Sequence, residues 1–213
     1  MEKKLADHRE NYEKHELLES QCPENPFDLV EQWISEATKA LENDVNAMFL
    51  STAGNDDQPS SRAVLLKEIY EEKFVFYTNY ESRKGIQISE NPKVSLLFWW
   101  KELERQIRID GIAEKVSRET SEAYFHIRPV GSQIGAVASP QSQIVTKDQL
   151  IQSFEEADNK YKGLTQIPLP AQWGGYTVTP HLIESWQGRP NRMHDRIEYI
   201  LEENVWVKNR LAP

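Results

Sequence analysis

Cys22 is the only cysteine among the 213 residues of this chain. One thiol forms no intrachain disulfide and leaves no Cys-based zinc site within a single chain. The five histidines are scattered at positions 8, 15, 126, 181 and 194, and no H-E-x-x-H occurs, so no metal is expected. Neither G-x-G-x-x-G nor G-x-x-x-x-G-K-[ST] is present, which removes the usual dinucleotide and P-loop signatures. GSQIG does not match the nucleophile elbow G-x-S-x-G. No run approaches the roughly 20 apolar residues of a membrane span. The N-terminal MEKKLADHRENYEKHELLE lacks the apolar centre of a signal peptide. A soluble cytoplasmic protein with no membrane partner is therefore expected. Positive charge is also short: the net charge is −9, which argues against a general nucleic-acid binder. Any anion site must be a local cationic cluster.

Hydrophobic residues make up 38% of the chain, and six tryptophans and eight tyrosines argue against disorder. The length suits one domain with appendages. The charged stretch 1–20 reads as a loosely held helix or arm, and 21–213 as a single domain. Asn25-Pro26 looks like an N-cap followed by proline at the first helical position, and apolar residues at helical spacing extend that helix over 26–42. Then come short β-rich runs: AMFLSTA, SSRAVLLKEI, KFVFYTN, KVSLLFWW and ERQIRIDGIAEKV. ESRKGIQISENP is a small helical insert among them. Ser117 caps a helix through Arg128. PVGSQIGAVASPQSQ reads as a short helix and loop, and TKDQLIQSFEEADNKYK as a further helix. Strands GGYTVTP and HLIESWQ, and a pair around EENV, close the chain. The class is α+β, a mostly antiparallel closed sheet with helices outside.

Four stretches invite chemistry. In YESRKGIQISEN, Ser82 caps a helix that begins with Arg83 and Lys84. Cations are disfavoured at a helix N-terminus, so the pair is either solvated or faces a bound anion such as phosphate. In RAVLLK, strict alternation puts Arg62 and Lys67 on opposite faces, and one shared ligand would need a bulge, an edge or a strand end. In EAYFHIRPVGS, Tyr124 and Arg128 share a helix face, Pro129 ends the helix and Ser132 follows in the turn. These groups make either a surface contact or a phosphate clasp. WQGRPNRMHDR gathers Arg189, Arg192, His194 and Arg196 beside Trp186. On a strand, Arg192, His194 and Arg196 would point one way, toward water or toward something anionic or electron-rich. Trp99 and Trp100 read as core or subunit interface, and Trp186 as the better surface for a planar ligand.

Taken together, RAVLLK, FYTNYESRKGIQISENP, LERQIRIDGIAEKVS, YFHIRPVGSQIGA, SPQS, LPAQWGGY, WQGRPNRMHDR and the terminal RLAP resemble the pyridoxine (pyridoxamine) 5′-phosphate oxidases. The resemblance spans essentially everything beyond the N-terminal arm. It implies an FMN-binding split β-barrel with flanking helices, working as a homodimer in which both subunits build each active site. It implies FMN held by Arg62, Val64, Leu65 and Lys67, by Tyr77 and Thr78, and by Arg83 and Lys84. Gln106, Gln141, Ser142, Trp186 and Arg196 would complete that pocket. Lys67, Tyr124, Arg128 and Ser132 would grip the substrate phosphate, with Arg192 and His194 as catalytic residues against the pyridine ring. The implied reaction oxidises pyridoxine 5′-phosphate or pyridoxamine 5′-phosphate to pyridoxal 5′-phosphate, with hydride passing from C4′ to FMN and O2 yielding hydrogen peroxide. Asp44 matches a family active-site carboxylate.

The chain departs from the family pattern at Val130, where many relatives have arginine, and at Val137, where they have tryptophan. Either change could alter the pocket wall. Two other readings remain: a flavin oxidase of the same scaffold acting on a tricyclic phenazine-type acid, and a non-catalytic flavin or pyridoxal-phosphate carrier.

Overall fold

The computed structural model describes residues 10–213; of the N-terminal arm, positions 1–9 lie outside the described residues. Nine strands and five α-helices follow. Their order is α1 (Pro26–Ala40), β1 (Ala47–Ala53), β2 (Pro59–Leu65), β3 (Glu68–Tyr70), β4 (Lys73–Asn79), α2 (Arg83–Glu90), β5 (Lys93–Trp100) and β6 (Arg105–Lys115). Then come α3 (Arg118–Ile127), α4 (Val130–Ala138), α5 (Lys147–Tyr161), β7 (Trp173–Gln187), β8 (Asp195–Glu202) and β9 (Val205–Arg210). The strands pair in the order β2-β1-β5-β6-β7-β4-β3, with β8 on β7 and β9 on β8. The pairs β3–β4, β4–β7, β7–β8 and β8–β9 are antiparallel. No helix of the described residues is long and apolar enough to cross a membrane.

Side-chain caps start four of the helices. Asn25 accepts the Phe27 N–H at 3.0 Å, and Pro26 costs α1 nothing because the first-turn N–H groups lack partners anyway. Ser82 accepts from Gly85 N–H and Ser117 from Thr120 N–H. Thr146 and Gln149 form a reciprocal capping box on α5. α1 stops at Ala40, two residues before the expected end, where Leu41 turns extended.

The chain divides into two compact units. The first takes residues up to Leu50, Ser95–Gly111 and Pro180–Pro213. Its core joins the apolar face of α1 (Phe27, Val30, Trp33, Ala37) with Phe98, Trp100, Ile107, Ile183 and Tyr199. Each large side chain so buried contributes about 1.5–3 kcal/mol. Arg105 lies 4.6 Å above the Trp33 ring, donates to Gln187 Oε1 at 2.9 Å and pairs with Glu36. Residues 10–18 are not helical; Leu17 is buried, its N–H bonds Asp195 and its carbonyl accepts from Arg210. β8 and β9 meet at Glu203-Asn204, both at positive φ (49° and 66°), as a two-residue hairpin turn requires.

The second unit takes Ser51–Val94 and Ile112–Thr179. Phe125, Ile134, Ala157, Ile167, Leu169 and Trp173 form one of its cores, with Tyr77 and Tyr124 packed on it. β4 runs against the first half of β7, pairing Tyr77 with Gly175 and Thr78 with Gly174.

Two expectations fail here. GGYTVTP and HLIESWQ are one 15-residue strand, not two, because Pro180 falls between the pairing of β7 with β4, which ends at Val178, and its pairing with β8, which begins at Leu182. Residues 190–194 are not strand: Pro190–Arg192 form a 3-10 turn with Asn191 and Arg192 at positive φ (57° and 62°), so alternation cannot align Arg192 and His194 with Arg196. Ser132 lies in the first turn of α4, within the stretch expected to form a short helix and loop.

Candidate active site

Within the second unit a cavity of about 650 Å3 opens between the end of β2, strand β4, the C-terminus of α3 and helix α4. Val64, Leu65, Lys67, Tyr77, Thr78, Lys84, Tyr124, Arg128, Ser132 and Gln141 line it, as does Trp173. The structure does not bring Arg62 and Lys67 to one cavity: Lys67 lines it and Arg62 does not. β2 stops at Leu65, the Lys67 N–H bonds Val75 O at 2.8 Å, and the Lys67 side chain reaches the cavity.

One corner of the unit is cationic. The Lys84 ammonium is buried and donates to Thr78 Oγ1 (3.0 Å), Ser82 Oγ (3.1 Å) and Gln141 Oε1 (3.2 Å). These acceptors are all neutral. Burial, and then the charge of Arg62, lower its pKa to about 8. Arg62 donates to Thr52 Oγ1 (2.7 Å) and Ser60 Oγ (2.5 Å), and burial followed by the charge of Arg83 lowers its pKa also. The exposed Arg83 begins α2, and its N–H bonds Ser142 Oγ at 3.2 Å. Three like charges thus gather at a capped helix N-terminus. Among the described residues no carboxylate is ion-paired with Arg83 or Lys84. Such a corner fits a phosphate. Arg83 and Ser142 do not line the main cavity; they line an adjoining one of about 690 Å3 that shares Gln141 with it.

The other end of the cavity is aromatic. Tyr77 and Tyr124 stack with centroids 3.9 Å apart, and both lie nearly parallel to Trp173 at 5.6 and 6.2 Å. Burial raises the Tyr77 pKa to about 12, so its phenol stays neutral. Arg128 is the C-cap of α3, just before Pro129. Its carbonyl accepts from Gln133 Nε2 at 2.8 Å, while its buried Nη1 has no hydrogen-bond partner. Burial lowers its pKa. A guanidinium donor left unsatisfied inside a cavity is costly unless a ligand completes it. The departures at Val130 and Val137 do not line this cavity; Val137 packs on the core cluster instead.

The remaining candidates belong to the first unit. Trp186 and His194 are in ring contact at 4.7 Å, and Tyr12 lies 5.8 Å from each. Trp99 also touches Trp186, at 5.8 Å, and Trp100 is buried with its indole N–H on Val45 O. The Arg189 N–H donates to His194 Nδ1 at 3.1 Å, which places the neutral ring's proton on Nε2. Burial, and then Arg192, lower the His194 pKa below its usual 6.5. Arg192 is exposed. Arg196, opposite Trp186 in the β7–β8 register, donates to Glu184 Oε1 at 2.7 Å and to Ala212 O. Glu184 also accepts from Arg108 at 2.9 Å, and these bonds more than offset the rise that burial alone would give its pKa. Gln106 sits half-buried on β6. Asp44 is exposed at φ 57°, in the turn before β1.

Sequence reasoning missed Trp173, Thr52 and Ser60. Trp173 lay inside the motif LPAQWGGY with no charge to mark it. Thr52 and Ser60 become visible only once strand pairing brings them to Arg62.

A family model described as pyridoxamine 5′-phosphate oxidase matches residues 34–155. A second, the pyridoxine 5′-phosphate oxidase C-terminal dimerisation region, matches 173–213. The pyridoxine/pyridoxamine 5′-phosphate oxidase 2 of Hydrogenovibrio crunogenus is 50% identical over 98% of both chains. Two solved structures share the fold. PhzG from Burkholderia lata, in complex with tetrahydrophenazine-1-carboxylic acid, has a TM-score of 0.85 at 29% identity, covering 91% of this chain and 95% of its own. A pyridoxamine 5′-phosphate oxidase-related, FMN-binding protein from Nostoc punctiforme has a TM-score of 0.74 at 14% identity, covering 89% and 98%. The fold is thus the split β-barrel that the motifs implied. By motif order, by matches to both family regions and by half-identity along nearly the whole length of a relative, this chain belongs to the pyridoxamine 5′-phosphate oxidase family.

Proposed function

We propose that the protein is an FMN-dependent oxidase of pyridoxine and pyridoxamine 5′-phosphates, a cytoplasmic homodimer that forms pyridoxal 5′-phosphate. One observation supports this reading: the second unit gathers five cationic side chains in and beside one cavity, enough to pair with two phosphates. Arg62, Arg83 and Lys84 gather at the N-terminus of α2, and Lys67 and Arg128 line the cavity. A phosphorylated cofactor and a phosphorylated substrate need just such anchors.

Arg62, Arg83 and Lys84, with Thr78, Gln141 and Ser142, would hold the FMN phosphate end, and Val64, Leu65 and Tyr77 would wall it. Gln106, Trp186 and Arg196 would complete the cofactor pocket across the dimer. Bound FMN would supply the two-electron oxidation at C4′ and return the electrons to O2 as hydrogen peroxide. Lys67, Tyr124, Arg128 and Ser132 would grip the substrate phosphate, fixing the ring's distance from the cofactor. Arg192 and His194 would lie on the pyridine ring. His194, neutral and carrying its proton on Nε2, offers a hydrogen-bond donor there, while Arg192 supplies positive charge.

The structural likeness to PhzG supports one rival, oxidation of a tricyclic acid by the same scaffold. Steady-state assays separate the two. The proposal expects peroxide release with pyridoxine 5′-phosphate and none with a tetrahydrophenazine carboxylic acid; the reverse pattern would favour the rival.

A further inference from the structure

Resting on the substrate-phosphate role given above to Arg128, we infer that Trp173 is a positioning residue for substrate: its indole face holds the Arg128 guanidinium where the phosphate arrives. Among the described residues no hydrogen bond or ion pair holds that guanidinium, and its buried Nη1 has no hydrogen-bond partner. What it has are aromatic faces. Its Cζ lies 4.6 Å from the Trp173 centroid and 5.7 Å from that of Phe125. An arginine over tryptophan is the favourable form of this contact, strongest where water is excluded.

Trp173 is itself fixed. It is 6% exposed, and it is the first residue of β7, paired with Asn79 of β4. Its N–H bonds Pro170 O at 3.1 Å, and its carbonyl accepts from Arg118 at 3.2 Å. Its ring runs parallel to Tyr124 within 3° and meets Phe125 edge-on at 5.2 Å. The same indole therefore backs both Tyr124 and Arg128, the two clasp groups from α3. Arg128 needs such support because its backbone has already left the helix (φ −73°, ψ 151°). Without a flat surface beneath it, the freed side chain would sample rotamers that miss the cavity, and phosphate binding would carry that ordering cost.

The test uses the FMN-loaded enzyme with pyridoxine 5′-phosphate, comparing wild type with Trp173→Leu, Trp173→Phe and Arg128→Ala. The expected result is a KM raised about 5- to 30-fold by Trp173→Leu, the range of a partly desolvated cation–π contact, with kcat changed less than about 3-fold. FMN content should be unchanged, and Trp173→Phe should raise KM by a smaller but measurable factor of about 2 to 5, because a phenyl face holds a cation more weakly than an indole. The inhibition constant of inorganic phosphate should rise in parallel with KM. In an Arg128→Ala background, Trp173→Leu should add little, because the group it positions is gone.

An equal KM increase in that background would overturn the inference, as would lower FMN content or kcat at constant KM. If the leucine variant does not fold, Trp173→Phe decides: a smaller KM increase at constant kcat supports the role and an unchanged KM contradicts it. A wild type that does not oxidise pyridoxine 5′-phosphate would instead defeat the functional reading, which the same assay reports first.

Discussion

Lys84 shows most clearly what the proposed phosphate-binding role asks of a single residue. Burial and a neighbouring arginine hold its pKa near 8, against an ordinary value of 10.5, and only neutral oxygens satisfy its ammonium. A phosphate beside it would restore the charged form. FMN affinity of the apoprotein is therefore expected to fall as pH rises through about 8, by up to tenfold per pH unit, because binding there must take up one proton. Titrating FMN fluorescence quenching from pH 7 to 9.5 checks this, and Lys84→Met should flatten the profile. The apoprotein's stability should move the other way. Between the folded pKa and the higher unfolded one, the unfolded chain holds more protons, so stability rises with pH across that window. Arg192 carries a different burden. Exposed at positive φ in the turn before β8, it bonds no phosphate anchor, and Arg192→Ala should retain FMN while kcat/KM drops by roughly 100-fold or more. Unchanged turnover in that variant would remove its assigned role.

Among the elements, α2 matters most because its first turn carries the cations. Gly85 sits in that turn, and a Cβ there would lie 2.1 Å from the backbone oxygen of Tyr80, which cannot swing aside as a side chain would. Gly85→Ala should cost about 1–3 kcal/mol and lower Tm by about 2–4 °C per kcal/mol, with FMN lost on gel filtration; calorimetry and the absorbance of the eluted protein check both. At this scale much was legible in the sequence. Asn25, Ser82 and Ser117 read as caps and each accepts a first-turn N–H, because capping is local chemistry. The misreadings came where distant pairing decided. Pro180 read as a strand break, yet β7 passes through it by changing partners. Arg192 and His194 read as strand, yet Asn191 and Arg192 take left-handed backbone angles that no alternation rule foresees.

For the molecule as a whole, the site candidates divide between the two units. The proposed phosphate anchors are in one, and Gln106, Trp186, Arg192, His194 and Arg196 are in the other. Motif order showed that these residues belong to one family pattern, but no spacing along the chain reveals such a division. Nor did the sequence single out Trp173, whose importance lies in what stacks on it. On the proposed function, purified protein should carry an oxidised-flavin absorption band. Adding pyridoxine 5′-phosphate under nitrogen is then the most direct test. The account predicts that the band disappears on addition and returns when air is admitted. A band that persists in the presence of bound substrate would contradict it, and would leave a flavin carrier in place of an oxidase.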